Sequence, residues 1–574
     1  MTAPSSVRPP TLPDRTAVAI AGGGPSGCYL ALELAWRGVP SVIVEERAEC
    51  DDTRPRAKTT NARTMTLLRR LGLADTLRRR APLSVEYSQE VAFCTGLAGW
   101  DLRRFPGAFQ LRTGRYEPQP ECGQQIAQPL VEEVLRTAAR EHPLITYVPG
   151  VRAVGARTAG DGGDGAPARL EVQGGSGGTT GIDARFVVGA DGGSSAVRKS
   201  LGIALRGASA GRPNYNVLFR SRDLGDAVTL APAVQYWIVN ERVSGMVGRL
   251  DLEDTWWSIL QGQDDPGGHA AAAELVRTLT GVDAEVDVIA TDAWTARMLL
   301  ADSYGGRGVH LVGDAAHLNP PWGGHGFNTC VGDAANLAWK MAAVHHGWAD
   351  EGLLDSYEAE RRPIARRMIE DAAANGRALA HDFVSPALDE DSPAGRAARE
   401  EAGRALAVKT SEFHSEGLVF GYEYCASPWV TPDGTPAPAR DPIEYTPSAV
   451  AGCLLPHWWR SDGTSVYDAL GPDFTVFVLG PAAVPSVADT TVTETTVADA
   501  PVPVRTVVLE GADADLARAR WGAVPCVLVR PDQHVAYRSR AEGLAEALRT
   551  AVRGAGGSGS RPGGSEERSG HAVR

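Results

Sequence analysis

Four residues near the start of the chain, Gly22, Gly24, Gly27 and Glu45, have the types and spacing of a dinucleotide site. They lie in VAIAGGGPSGCYLALELAWRGVPSVIVE, residues 18–45. In G-x-G-x-x-G the first glycine allows a tight turn, and the second lets the backbone approach a pyrophosphate. The third lets helix and strand pack closely. Glu45 follows Gly27 by 18 residues, where a carboxylate can accept both ribose hydroxyls. An acid there favours an adenosine with a free 2′-hydroxyl, so FAD or NAD rather than NADP. Pro25, Ser26 and Glu46 flank these positions and join the expected contacts. An ordinary glycine-rich turn is the alternative, and it leaves the acid to coincidence.

A second group of residues suits a flat ligand. GDAAHLNPPWGGHGFN, Gly313–Asn328, puts Gly313 and Asp314 at the end of an apolar run and follows them with a proline-glycine loop and a helical pattern. Gly323, Gly324 and Gly326 let backbone amides come close, and the helix turns its positive end there. That arrangement suits a ring oxygen gaining negative charge, such as that of a reduced flavin. ADGGSSAVR, Ala190–Arg198, reads alone as a good turn with an N-cap. The basic residues Arg54, Arg56, Lys58 and Arg63 read either as phosphate neutralisation and cofactor docking, chiefly by Arg56 or Arg63, or as a solvated basic loop. No Cys/His spacing suggests a metal, and His345 and His346 face different ways on a helix.

Positioning these groups requires a strand at 18–21, a helix with Leu30, Ala31 and Leu34 on one face and Gly38 as its cap, and a strand at 41–44. A helix is expected from about Ala62 to Arg70 and an amphipathic one over Gln128–Arg140. Residues 84–109 read as a meander. Residues 144–188 alternate around a Gly/Asp-rich tip, and 186–188 is a buried strand before a short helix near Ser194. Residues 214–261 read as an antiparallel sheet with one buried face, in which Tyr215, Tyr236, Trp237, Trp256 and Trp257 fill a core or line an apolar pocket. A strand at 309–312 and a long helix from about Phe327 to His346 complete the second motif. A domain boundary is expected near 400, short strands with helices from Thr464, and a disordered tail at the end.

At 574 residues the chain has length for two to four domains. A net charge of −13 argues against a nucleic-acid binder. No apolar run approaches the roughly 20 residues of a membrane span, and the N-terminus has no signal pattern. The eight cysteines are dispersed without C-x-x-C, which reads as a cytoplasmic protein.

The three motifs in this order resemble the single-component flavoprotein aromatic hydroxylases, the family of para-hydroxybenzoate hydroxylase, phenol hydroxylase and polyketide-tailoring hydroxylases of actinomycetes. The resemblance covers roughly residues 1–390. It implies that Glu45 binds the ribose, that Arg56 and Gln128 contact FAD, and that Asp314 binds its ribityl or phosphate part. The loop Gly323–Asn328, with Pro321 and Phe327 in its frame, would face the isoalloxazine ring. The motif at Asp191 would serve both FAD and the reduced nicotinamide. The implied fold is α/β: a Rossmann-like FAD-binding domain with an inserted antiparallel-sheet substrate domain, plus a thioredoxin-like α/β domain. The corresponding segments are 1–400 for the monooxygenase domain (substrate sheet mainly 205–295, also 84–120), 401–555 for the linker and thioredoxin-like domain, and 556–574 for the tail. PCVLVRPDQHVAYR carries the thioredoxin-like resemblance, yet Cys526 stands alone there, so packing or homodimer assembly is expected rather than redox work.

The family's cycle is reduction of FAD by NADPH or NADH, reaction with O₂, and oxygen transfer from a flavin hydroperoxide to an aromatic or polyketide-type substrate, as in secondary metabolism. His325 and Tyr236 are the candidates for proton transfer, with a structural role as the alternative for each. Rival readings are Baeyer–Villiger or epoxidising chemistry on the same fold, and a flavin-binding protein without turnover.

Overall fold

Strand Arg15–Ala21 ends in four fully buried residues, Val18 to Ala21. A strand that is apolar on both faces needs neighbours on both edges and cover on both sides. It finds them at the centre of a parallel sheet in the computed structural model, which describes residues 12–555 apart from 164, 175–176, 378–379, 481–495, 498–499, 523 and 541–542. The expected tail at 556–574 lies outside the described residues. The parallel strands run in the order Val309–Leu311, Thr179–Gly189, Arg15–Ala21, Ser41–Glu45, Ile145–Pro149. Helix Pro25–Trp36 makes the first crossover and ends at Gly38, whose φ of 75° needs no Cβ. The strand expected at 186–188 is longer, because its outer half pairs antiparallel with Ala168–Gln173. The long helix His325–His345 starts earlier than expected, directly after Gly324 with φ 66°.

The aromatic strands form the centre of an eight-stranded sheet, joined by Glu90–Cys94 and Asp101–Pro106. Side chains alternate between its faces. Trp237 and Trp257 share one face with Phe93, which stacks on Trp237 at 5.2 Å. Tyr215, Tyr236 and Trp256 share the other face, under helix His269–Thr280. The first face is closed by helix Pro393–Ala405 and by Phe413, packed with Ala402 and Leu406 in the same cluster as Trp237. A boundary near 400 therefore falls inside a helix committed to this core. The C-terminal unit's own core begins only at Ala449.

That unit is a four-stranded sheet in the order Val504–Leu509, Phe474–Leu479, Cys526–Val529, Val535–Ser539. The first two strands are parallel and the third antiparallel to its neighbours. With helices Gly511–Trp521 and Leu544–Arg553 it forms the thioredoxin-like domain. Its hairpin tip, Arg530–His534, docks on the FAD domain. Arg530 donates to both oxygens of Glu360 at 2.7 Å and to Asp532 at 2.8 Å. Lys340 Nζ donates to Glu360 at 2.7 Å, and Asn336 Nδ2 bridges Glu360 and Asp532 at 2.9 Å each. All of these side chains are buried. Burial alone would raise the Glu360 pKa, but Arg530 and Lys340 hold it well below the carboxylate range. The hairpin also takes Arg63, which donates to the Gln533 side chain and, at 3.0 Å, to the Asp532 carbonyl. Arg63 is thus an interdomain tie, and its expected role in neutralising a cofactor phosphate is corrected: both Nη groups are engaged with the C-terminal hairpin, and Nε is buried without a partner.

Breaking a buried ion cluster leaves an uncompensated charge. Arg530→Met is expected to destabilise the chain by about 3–5 kcal/mol, read as a lower denaturant midpoint. An unchanged midpoint would contradict the burial described.

Candidate active site

Three glycines of the first motif face three different constraints. A Cβ on Gly22, which has φ 103°, would lie 2.3 Å from the Ala190 carbonyl oxygen, and one on Gly27 would lie 2.0 Å from the Gly22 oxygen. A Cβ on Gly24 would meet nothing within 4 Å. Gly22 and Gly27 therefore serve the packing, and Gly24 leaves an open approach at the N-terminus of helix Pro25–Trp36. Pro25 and Ser26 form its first turn. A Cβ on Gly313 would come 2.6 Å from Ser26 Oγ, so the second motif abuts the first. Asp314 follows at the surface, with Cys330 Sγ 3.5 Å from its carboxylate.

Glu45 closes one end of this edge. Its carboxylate accepts from the Gly23 N–H at 2.7 Å and from the Arg47 N–H at 3.0 Å. Arg136, missed in the sequence, donates from Nε to the Gly23 carbonyl at 2.8 Å and sits 3.8 Å from Glu45. It is buried in a helix, and the only sequence signal was a basic residue beside the apolar stripe of Gln128–Glu141. Arg136 Nη1 and Tyr147 Oη have no hydrogen-bond partner within the protein although buried. A Cβ on Gly23 would come 2.5 Å from that hydroxyl. Orphaned donors cost about 1–3 kcal/mol each. These polar groups cluster at Gly23 beside the open face of Gly24 and the helix N-terminus, and the residues present fit an FAD adenosine and pyrophosphate. Glu46 is exposed on the following turn. Arg56 is exposed with φ 42°, on a loop held by the Gln128 N–H, which bonds the Pro55 and Ala57 carbonyls at 3.2 and 2.8 Å. The Gln128 side chain itself donates to Glu132 at 2.8 Å.

Two expected ligand residues are bonded extensively within the fold. The Asp191 carboxylate accepts from Ser195 Oγ at 2.5 Å and from the Ala196 and Val197 N–H groups at 2.7 and 3.1 Å. With these bonds it caps the helix Ala196–Ser200. The Asn328 amide accepts from the Asn61 N–H at 3.0 Å and donates to the Thr59 and Gly324 carbonyls at 3.2 and 2.8 Å. It brackets the 59–61 segment against the glycine loop. Gly324, Gly326 and Phe327 are partly exposed along this edge, and Pro321 is exposed just before it.

The glycine loop meets the aromatic face of the large sheet. Phe109 approaches Gly324, whose Cβ would lie 4.0 Å from the Phe109 ring, and it packs with Trp322, Trp237 and Trp257. Phe109 and its neighbour Gln110 have φ of 57° and 60°, a left-handed pair without glycine that no sequence signal announced. His325 is buried, its Nε2 has no partner, and burial pushes its pKa down to about 4, so the imidazole is neutral near pH 7. Tyr236 does not reach this face. Its hydroxyl donates to the Ala231 carbonyl at 3.1 Å and accepts from the Ala233 N–H at 3.0 Å, within the opposite core. Its candidacy for proton transfer is corrected, because the strand alternation turns it away. The Nε1 atoms of Trp237 and Trp257 are buried without partners.

Comparison with known proteins bears on this geometry. The family model described as "FAD binding domain" matches residues 15–372, and "Aromatic-ring hydroxylase, C-terminal" matches 448–558. The chain belongs to the FAD-binding aromatic-ring hydroxylases. The 4-methyl-5-nitrocatechol 5-monooxygenase of a Burkholderia species is 32% identical over 93% of this chain and 96% of its own length. Aklavinone 12-hydroxylase DnrF of Streptomyces peucetius is 31% identical, covering 78% of this chain and 87% of its own. The flavin-dependent monooxygenase PieE, solved in complex with FAD and substrate, superposes with a TM-score of 0.84 at 28% identity, over 94% of this chain and all of its own. The family member described here is a flavoprotein monooxygenase with FAD as cofactor and NAD(P)H as co-substrate. Among the described residues no helix is long and apolar enough to cross a membrane.

The glycine geometry separates folding from binding. Gly24→Ala is expected to change stability by no more than about 1 kcal/mol while weakening FAD retention, read by flavin release. Gly27→Ala should lower stability as well. A second expectation concerns acid. Burial pushes His310, His325 and His457 down to about 4 from the ordinary 6.5. The unfolded chain protonates them first, so stability falls as pH drops from about 6.5 toward about 4, by at most about 3 kcal/mol per histidine. Proton uptake on unfolding, measured calorimetrically at pH 5, checks this.

Proposed function

We propose that this monooxygenase hydroxylates a large, flat phenolic substrate of polyketide type, held between the aromatic face of the large sheet and the loop Gly323–Asn328. The observation that carries the reading is the meeting of that loop with an apolar wall of Phe93, Phe109, Trp237, Trp257 and Trp322. Bound FAD supplies electron transfer from NAD(P)H and the oxygen chemistry. The chain supplies position and environment. Asn328 holds Gly324 against Thr59, and the first turn of the long helix offers N–H groups that its own geometry leaves without acceptors. The aromatic wall excludes water from the reacting centre. Glu45 and Arg136 anchor the adenosine end, and Arg56 and Asp314 lie at the phosphate and ribityl stretch. His325, neutral and with Nε2 unpartnered, accepts a hydrogen bond from the substrate hydroxyl and so orients it.

Relatives that act on aklavinone and on a nitrocatechol support a phenolic substrate. The reading extends to a cytoplasmic setting, where NAD(P)H is made, and to a homodimer, which light scattering of the holoenzyme would test.

The holoenzyme is expected to oxidise NAD(P)H faster with one member of a panel of phenols, naphthoquinols and anthracyclinones, and to place one atom of labelled O₂ on its ring. Stimulation with no label in the product would defeat the hydroxylase reading. His325→Gln should lower kcat about 100-fold or more with little change in KM. Unchanged turnover would remove His325 from the reacting site.

A further inference from the structure

Only four of the 57 basic Lys and Arg residues are lysines. Lys199 is exposed. Lys340 and Lys409 are buried against Glu360 and Glu412. Lys58 differs from all three. It is half-buried, and its Nζ lies 4.1 Å from the centroid of the Trp257 ring. Among the described residues no carboxylate lies within 4 Å of it. Burial with no compensating charge pushes its pKa down to about 7. Arginine could not respond in this way, whereas a lysine ammonium is a tunable point charge.

Its location is specific. The Lys58 carbonyl accepts from the Ile126 N–H at 2.8 Å, which fixes the backbone. The next residue, Thr59, is held by Asn328 and borders Gly324 of the glycine loop. The side chain then crosses to Trp257 on the aromatic face, whose indole Nε1 is itself unpartnered. The cation thus sits where the ring-facing loop and the aromatic wall meet. Few charged groups share the place. On its own loop Arg54 and Arg56 are exposed, and Arg54 lies 3.8 Å from Asp292. The 124–128 segment presents the neutral Gln124, Gln125 and Gln128, the sheet presents Trp257, and the long helix begins with the neutral His325.

We propose that Lys58 is a substrate-binding residue, its ammonium holding the ionised hydroxyl of the phenolic substrate between Trp257 and the loop Gly323–Asn328. This rests on the hydroxylase reading above and names the charge state that the site selects. A cation over an aromatic face and beside an apolar wall is incompletely solvated, and a phenolate stacked on the same wall supplies the missing counter-charge. The substrate then sits as the electron-rich anion, which is the form more easily attacked by an electrophilic oxygen.

The test uses the holoenzyme and 4-nitrocatechol, whose ionisation is visible as a nitrophenolate band. Bound to the wild type, the probe is expected to ionise at least one pH unit below the free compound. Lys58→Met should load FAD, abolish that shift and weaken binding of the phenolate about tenfold or more. Lys58→Arg, which keeps the charge, should retain the shift. Equal ionisation and affinity in the wild type and Lys58→Met would overturn the proposal, and so would failure of the wild type to bind the probe. A lowered flavin midpoint potential in Lys58→Met with an unchanged probe spectrum would assign the cation to the flavin and overturn it too. A wild type that ionises the probe yet labels no phenol with oxygen would fail the hydroxylase reading alone.

Discussion

The long helix His325–His345 carries Asp333, Asn336 and Lys340 on buried faces. A lone buried charge costs several kcal/mol, so each must meet a partner of the right sign and geometry. Asp333 meets His317 at 2.7 Å and Arg361 at 2.8 Å. Lys340 meets Glu360, which in turn meets Arg530 from the C-terminal domain. These partners come from the second motif, from the following helix Asp355–Arg377 and from the hairpin tip. Satisfying the charges on one helix therefore sets three other elements. The glycine loop stands at the beginning of that helix.

From that loop outward the site is held by polar groups turned inward on the fold. Asn328 and Asp191 give every strong hydrogen bond they make to neighbouring chain. This leaves backbone N–H groups and open glycine faces to meet a ligand. The apolar wall is assembled differently, by strand phase. Trp237 and Trp257 come to it because their neighbours Tyr236 and Trp256 are packed on the far side.

The parts legible in the sequence are those in which a steric demand is written in the residue type. Gly22 and Gly27 can be nothing larger, and Glu45 stands at a strand end where little else explains it. The crossover, the amphipathic helix at 128 and the sheet at 214–261 follow from periodicity. Residues that bind and residues that cap are chemically the same, which is why Asp191, Asn328 and Arg63 read as ligand contacts. The groups that engage Arg63, and two of the three that engage Asn328, are distant in sequence, whereas those around Asp191 lie four to six residues away. Alternation states that Tyr236 and Trp237 oppose each other but not which one faces the site. The left-handed pair Phe109–Gln110 carries no glycine to announce it. The sequence suggests a boundary near 400 because the charged, exposed face of helix Pro393–Ala405 masks Ala402, and Leu406 just after it, packed into the core.

The hairpin Arg530–His534 bears on how such chains can recombine. Its side chains are matched to Glu360, Lys340, Asn336 and Arg63 on the other domain, 170 residues or more upstream. A C-terminal domain exchanged between relatives would carry half of this lock without its key. The heritable unit that can be swapped is therefore not the domain alone but the domain with a handful of distant positions. Drift in the tip should be tolerated only where those positions drift with it.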